Sequence, residues 1–113
     1  MKAKLPLSQD QKLHVLRRVE PGCLGPKGVD HIEEFCAFAE EKVEPIDSEF
    51  VHWEIVPRHN KKEAEMQYKI NKKILSHDKA AKYLELFNKD LDEFEEHLHE
   101  KLSYLVDHYW DKQ

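Results

Sequence analysis

Residues 49–57 read EFVHWEIVP and residues 63–71 read EAEMQYKIN, and these two segments carry the clearest structural pattern of the chain. In both segments apolar and polar side chains alternate with a period of two, as in a β-strand that has one covered face. The apolar positions are Val51, Trp53 and Ile55 in the first segment and Ala64, Met66, Tyr68 and Ile70 in the second. The polar residues 58–62 between the segments are typical of a turn. The sequence therefore predicts an antiparallel β-hairpin.

The residues before this hairpin predict two helices. Ser8 is followed three positions later by Gln11, which is the reciprocal capping pattern of a helix N-terminus, and Pro21 ends the segment. Asp30 and Glu33 repeat the capping pattern before a second apolar stripe. The stripes comprise Leu13, Leu16 and Val19 in the first segment and Ile32, Phe35, Cys36, Ala39 and Val43 in the second. We expect helices over 8–19 and 30–43.

The residues after the hairpin predict a long helical region, for which Ser76 or Asp78 could be the cap. Apolar side chains recur at gaps of three and four residues from Ala80 to Tyr109. A continuous helix over 79–111 would span about 50 Å, whereas a domain of this size is about 34 Å across. The helix must therefore break, protrude or pack along a second chain, and the residues 88–90, Asn-Lys-Asp, offer a break.

These segments together predict the α+β class. The expected order is two N-terminal helices, an antiparallel β-hairpin, and a long or broken C-terminal helical region packed on the sheet. A chain of 113 residues is long enough for one core, so residues 1–113 are expected to form a single small domain.

The loop between the two predicted helices contains all three glycines. Backbone N–H groups of such a loop, with a lysine just before a helix, could bind an anion, and a cysteine there could be a reactive thiol. The candidate anion or thiol site is Gly22, Cys23, Gly25, Lys27 and Gly28. Its spacing matches neither a phosphate loop nor a dinucleotide fingerprint, which needs a preceding strand. A helix-to-helix connector that requires glycine is the favoured interpretation.

Metal binding and catalysis receive little support from the sequence. Glu96 and His99 have the spacing of carboxylate-bridged di-iron ligands, but such a site needs the same pair on a facing helix and two further glutamates. The only other match, Glu49 and His52, lies on a predicted strand. We expect no metal and no cofactor, and we predict no catalytic residues. Whether the protein is an enzyme stays open, with a non-catalytic role favoured.

The charge is uneven along the chain. Lysines and arginines number 18 and aspartates and glutamates 23, for a formal net charge of −5. Residues 58–73 carry six positive and two negative side chains, whereas residues 30–49 and 85–107 are strongly acidic. The candidate RNA-binding residues are Arg58, Lys61, Lys62, Lys69, Lys72 and Lys73. Trp53 and Tyr68 could stack on bases, but they share the apolar face of the hairpin, so nucleic-acid binding is disfavoured.

The leading functional hypothesis is a non-catalytic interaction or regulatory module. An isolated hairpin leaves both edges unpaired, so we expect a homodimer or a protein partner that covers a hairpin edge or the C-terminal helix. The alternatives are an anion-binding or thiol-dependent enzyme or sensor at the glycine loop, and RNA binding by the basic hairpin. No apolar run is long enough for a membrane span, and no apolar stretch follows Met1–Lys4 as a secretory signal would require. With only two cysteines, a cytoplasmic location is expected.

Overall fold

A computed structural model describes residues 7–111, which measure about 48 × 29 × 22 Å. The strands are β1 (Leu13–Val19), β2 (Val51–Pro57), β3 (Met66–Ile70) and β4 (Lys73–Leu75), and the helices are α1 (Gly28–Val43), α2 (His77–Glu85) and α3 (Leu91–Asp111). A 3-10 turn, Pro21–Leu24, joins β1 to α1. The segment Met1–Lys4, on which the expectation of no secretory signal depends, lies outside the described residues.

The four strands form one mixed sheet in the order β2-β1-β3-β4. Strand β1 is central, because it pairs in parallel with β2 and antiparallel with β3. In this register Val15 lies opposite both Trp53 and Tyr68, so all three side chains share one face of the sheet. The protein is therefore of the α+β class, as predicted, but its sheet is mixed and has four strands.

The predicted helix over residues 8–19 is wrong, because residues 13–19 form β1. The capping pattern at its start instead makes a tight turn, in which the Gln11 and Lys12 N–H groups donate to the Ser8 carbonyl. Leu13, Val15 and Val19 face the helices, while Leu16 lies on the opposite face and is also buried. Burial on both faces of a central strand produced an apolar spacing that resembles a helix.

The predicted pairing of residues 49–57 with 63–71 is also wrong. Both segments do contain strands, β2 and β3, but β1 lies between them, so the inner edge of each is paired within one molecule. The hairpin in the described residues joins β3 to β4 through Asn71 and Lys72, whose φ angles are +48° and +70°. Two successive positive φ angles are the geometry of a two-residue hairpin turn that matches the strand twist.

The outer edge of β2 is protected by side chains. The Ile55 N–H points away from β1 and donates to Glu40 Oε1 of α1 at 2.8 Å. Pro57 has no N–H to offer. At the start of the strand the Val51 N–H donates to the Asp47 carbonyl. Two backbone N–H groups on this edge are therefore already bonded within the molecule, and Pro57 has none. The expectation that an unpaired hairpin edge drives self-association does not apply at β2.

Helix α1 forms over the predicted segment, and the C-terminal helical region breaks where the cap residues lie. Asn88 has a φ angle of +60°, which ends the turn after α2, and the Asp90 carboxylate accepts a hydrogen bond from the Glu93 N–H at the start of α3. Ser76 caps α2 by accepting from the Lys79 N–H at 3.2 Å. The break allows both helices to pack on the same small sheet.

All three helices pack on the face of the sheet that carries Val15. The Trp53 ring stacks on Phe94 of α3 with a centroid separation of 5.2 Å, and its Nε1–H donates to the Ile46 carbonyl. The Tyr68 hydroxyl donates to the Glu95 carboxylate. Side chains from α1, α2 and α3 join those of β1, β2 and β3 in one hydrophobic cluster. The opposite face of the sheet carries no helix from residues 7–111.

Candidate functional site

The uncovered face of the sheet, here called the open face, presents the alternate side chains of each strand. They are His14, Leu16 and Arg18 of β1, His52, Glu54 and Val56 of β2, Gln67 and Lys69 of β3, and Ile74 of β4. His52 and Glu54 are exposed, and Ile74 is 66% exposed. Around His14 and Lys69 a groove of about 410 Å³ opens, and its charged lining residues are Lys69, Lys72, Asp10 and Glu54. This face can therefore contact a partner directly.

Charge separates the two layers of the molecule. The sheet layer, residues 13–19 and 51–75, carries eight cationic and three anionic side chains, a net charge of +5. The helical layer, residues 28–43 and 77–111, carries five cationic and fifteen anionic side chains, a net charge of −10. A separation of this size produces a field that attracts anionic partners to the sheet side and repels them from the helical side.

The three arginines of the sheet layer are engaged within the fold. Arg58 donates to Glu20 at 2.8 Å and to two backbone carbonyls of the connection between β2 and β3. Arg18 donates to the Ala64 carbonyl and to Gln67. Arg17 lies on the covered face and forms an ion pair with Glu65. Arg58, a candidate RNA-binding residue, therefore holds the loop in place.

The candidate lysines lie in two groups at opposite ends of β3. Lys61 and Lys62 are exposed in the connection that precedes β3, and Lys72 and Lys73 are exposed at the turn that follows it. Lys69 lies between the groups on the open face, opposite His14. The structure therefore separates these lysines along β3 and does not cluster them, and Lys73, which alternates with the open-face residue Ile74, does not belong to the open face. The aromatic rings proposed for base stacking, Trp53 and Tyr68, are buried under the helices.

The glycine loop follows a strand, not a helix. At Gly28 an added Cβ would lie 1.8 Å from the Pro21 carbonyl oxygen, so the first turn of α1 approaches the 3-10 turn too closely for a side chain. Gly25 has a φ angle of +95°, which L residues rarely adopt. Lys27 precedes α1 and its side chain makes no capping hydrogen bond. The connector geometry thus explains two of the three glycines.

The two cysteines differ in their surroundings. Cys36 is only 3% exposed, and its burial, followed by the nearby charges of Glu40 and Glu33, raises the pKa of its thiol to about 12. It stays protonated at neutral pH and behaves as a core residue. Cys23 is an exposed free thiol on the 3-10 turn. It is the chemically accessible cysteine of the two.

Cys23 borders a cavity that sequence reasoning missed. This cavity, here called the Arg17 cavity, has a volume of about 280 Å³ and lies between β1, the 3-10 turn, α1 and α3. Its polar lining residues are Arg17, Cys23, His99, Ser103 and Asp107. Its apolar lining residues are Val19, Phe35, Leu102 and Val106. The one available sequence signal was Arg17, a charged residue at a core-facing position of the apolar pattern of β1. The prediction of a helix over residues 8–19 obscured this signal.

The histidine-rich surface of α3 shows no metal site. Among residues 7–111 no group of three or more histidine, cysteine, aspartate or glutamate side chains is placed to hold a metal ion. His97 and His99 are exposed on the acidic helix. Within the same residues, none of the helices combines the length and the apolar character that crossing a bilayer requires.

Comparison of the chain with models of known protein families, with curated proteins and with solved structures finds no significant match. The class of protein is therefore defined by the fold and its surfaces alone. It is a two-layer α+β protein, with an acidic helical layer on one face of a mixed sheet whose strands and connections carry a net positive charge.

Proposed function

We propose that this protein is a non-catalytic interaction module that binds an acidic segment of another protein on the open face of its sheet. The observation that carries the proposal is the charge separation between the layers, with a net +5 on the sheet side and a net −10 on the helical side. Complementary potential selects a partner and its orientation, and it speeds association. An acidic partner is attracted to only one side of this molecule.

The arrangement of the lysines supports an extended partner. β3 spans about 16 Å, with Lys61 and Lys62 before it, Lys72 in the turn after it, and Lys69 on the open face between them. An extended peptide of about eight residues covers about 26 Å, enough to reach both groups. Val56 and Ile74 add apolar surface on the same face, at its two outer strands.

A separate partner fits these charges better than a symmetric homodimer does. A two-fold dimer uses the same patch twice, so either open face would meet open face or helical layer would meet helical layer. Both contacts bring like charges together. The remaining edge strand, β4, has three residues, begins at Lys73 and follows Lys72, and these lysines also repel a second copy. Self-association therefore takes second place to an acidic partner, and it is an outcome of the test.

The test measures binding of a labelled glutamate-rich peptide by fluorescence anisotropy. The variant Lys69→Glu/Lys72→Glu reverses two charges at the groove on the open face. The matched control Lys79→Glu/Lys82→Glu makes the same change in net charge on exposed positions of α2. We expect the first variant to bind about tenfold more weakly, since reversing two contacts removes about 1.4 kcal/mol. We expect the control to bind within a factor of about two of wild type.

Equal loss of affinity in the two variants would show that net charge alone governs binding, and the proposal would fail. A single-stranded oligonucleotide of matched length serves as a second probe. Binding of the oligonucleotide in preference to the peptide would favour the RNA alternative instead. Light scattering on the same samples reports the oligomeric state, and a concentration-dependent dimer without peptide binding would favour self-association.

A cytoplasmic location is part of the same proposal. Cys23 is an exposed free thiol and Cys36 a buried one, and free thiols persist in reducing compartments. Fractionation of cells that carry a tagged copy tests the compartment, and recovery in an oxidising fraction would contradict it.

A further inference from the structure

We infer that His14 and His52 together bind a divalent transition-metal ion on the open face of the sheet. The two residues lie opposite each other on the paired strands β1 and β2, so their side chains project from the same face. Their ring centroids are 4.9 Å apart, and the ring planes make an angle of 50°. This pair revises the sequence-based expectation of no metal, in which His14 belonged to a predicted helix and had no strand neighbour.

The separation of the rings fits two imidazoles on one ion. A zinc–nitrogen bond is about 2.1 Å long, and two imidazoles at a roughly tetrahedral angle then have centroids about 5 Å apart. The observed 4.9 Å meets this requirement while the pairing of β1 with β2 holds both backbones in place. Rotation about side-chain torsions is therefore sufficient to direct one nitrogen of each ring to a shared ion.

A hydrogen bond to the backbone prepares His14 as a ligand. Its Nε2 lies 3.0 Å from the Gln9 carbonyl oxygen, and a carbonyl only accepts, so Nε2 carries the proton and the neutral ring has its lone pair on Nδ1. Histidines that bind metals almost always donate their second ring N–H to such an acceptor, which fixes the tautomer and raises the basicity of the ligating nitrogen. His52 is exposed, so its ring can present either nitrogen to the ion.

The surroundings of the pair are compatible with a cation. Two anionic side chains of the groove beside His14, Asp10 and Glu54, offset its two lysines. Imidazole is a ligand of Zn²⁺, Ni²⁺ and Cu²⁺, whereas Mg²⁺ and Ca²⁺ prefer oxygen. Two protein ligands leave two positions of a tetrahedral ion open to water, in agreement with the finding that no three such side chains of residues 7–111 converge on one point.

Calorimetric titration with Zn²⁺ alone, at neutral pH and with no peptide present, tests the site independently of the proposed function. We expect one ion to bind per chain, and we expect His14→Gln and His52→Gln each to bind it at least about tenfold more weakly. Mg²⁺ should not bind at this site.

The matched controls remove other groups that could hold zinc. His97 and His99 are exposed on α3, but they are two residues apart and so do not face each other. Cys23 is an exposed free thiol. We expect His97→Gln/His99→Gln and Cys23→Ser to bind Zn²⁺ within a factor of about two of wild type.

The variant His52→Gln decides the matter even if His14→Gln, which also loses the bond to Gln9, is unstable, because His52 is exposed. Circular dichroism confirms that each variant is folded. Absence of saturable Zn²⁺ binding, or equal affinity in wild type and folded His52→Gln, would overturn the inference. A loss of affinity in either control as large as that in His52→Gln would also overturn it.

Discussion

The substitution Gly28→Ala tests the connector geometry most sharply. The added Cβ would lie 1.8 Å from the Pro21 carbonyl oxygen and 2.8 Å from the Pro21 carbonyl carbon. Contacts below 3.0 Å are essentially never seen for a Cβ, so the 3-10 turn and the first turn of α1 must separate by at least 1.2 Å. Because backbone atoms are involved, rotation of a side chain cannot relieve the clash.

The expected cost is about 3 kcal/mol of unfolding free energy, at the upper end of the range for overpacking. For a domain of this length that is a fall in Tm of about 12 °C or more. The matched controls are in the same loop. Gly22→Ala meets nothing within 4 Å, so we expect a change within about 0.5 kcal/mol of zero. Gly25→Ala places a side chain at a φ angle of +95° and a ψ angle of −167°, a region that is essentially restricted to glycine, and we expect a loss of about 1–3 kcal/mol.

Urea unfolding followed by tryptophan fluorescence measures all three variants. Trp110 is a local reporter, because its Nε1–H donates to the Leu24 carbonyl of the same turn at 3.1 Å. If Gly28→Ala and Gly22→Ala have equal stability, the close approach of the turn to α1 is wrong. The glycines would then lack their structural explanation, and the anion-site alternative at this loop would regain weight.

Three further predictions concern single side chains. The pKa of the Cys36 thiol is about 12 in the folded protein and near 9.0 in the unfolded chain. Deprotonation therefore favours the unfolded chain between these values, so the stabilisation by this residue is complete below pH 9 and is lost as the pH rises toward 12. Urea titrations from pH 9 to 12 should give a decline about 1.4 kcal/mol per pH unit steeper for wild type than for Cys36→Ala, and parallel curves would contradict this. Ser76→Ala removes the cap that accepts a hydrogen bond from the Lys79 N–H. Thermal unfolding should show a loss of about 1 kcal/mol in this variant, which Ser76→Thr largely avoids. Equal losses in both variants would show that the cap is unimportant. Tyr68→Phe removes the donor to Glu95 and should cost about 1–2 kcal/mol at neutral pH. Burial, then the hydrogen bond to Glu95, raises the pKa of Tyr68, so wild-type stability should also fall faster than that of the variant above about pH 10, and identical slopes would refute that assignment.

Local pattern was sufficient for the elements with one covered face. Strands β2 and β3 alternate between a covered and an exposed side, and α1 has a single apolar stripe, so each could be predicted from its own residues. Local chemistry also offered the break between α2 and α3 as one of three alternatives, since Asn88 and Asp90 are residues that end and cap helices. In these segments the period of the side chains and the tertiary environment agree.

Strand β1 could not be predicted in this way, because its neighbours decide its structure. Leu13 and Leu16 are three residues apart and both buried, but on opposite faces of the sheet. Arg17 interrupts the apolar alternation at a position that faces the helices. The parallel partner of β1 begins at Val51, so the pairing is set by a crossover through α1 that no short window contains.

The candidate surfaces were missed for the same reason. His14 and Arg18 belong to the open face only because residues 13–19 are a strand, and the predicted helix placed them elsewhere. The groups of lysines were identified from the sequence, but their linear arrangement depends on the β3–β4 hairpin, and β4 is too short to show a period. The turn at Asn71 and Lys72 was not predicted, because the alternation of apolar and polar residues in the predicted strand extends as far as Asn71.

An amide NMR titration with the glutamate-rich peptide locates the contact residue by residue. We expect the largest shift changes on the open face, at His14, Lys69 and the Asn71–Lys72 turn, and we expect them to fade as salt shortens the electrostatic range from about 10 Å at 0.1 M to about 3 Å at 1 M. Changes that concentrate on α1 and α3, or that persist unchanged in high salt, would contradict the assignment of the basic sheet face as the binding surface.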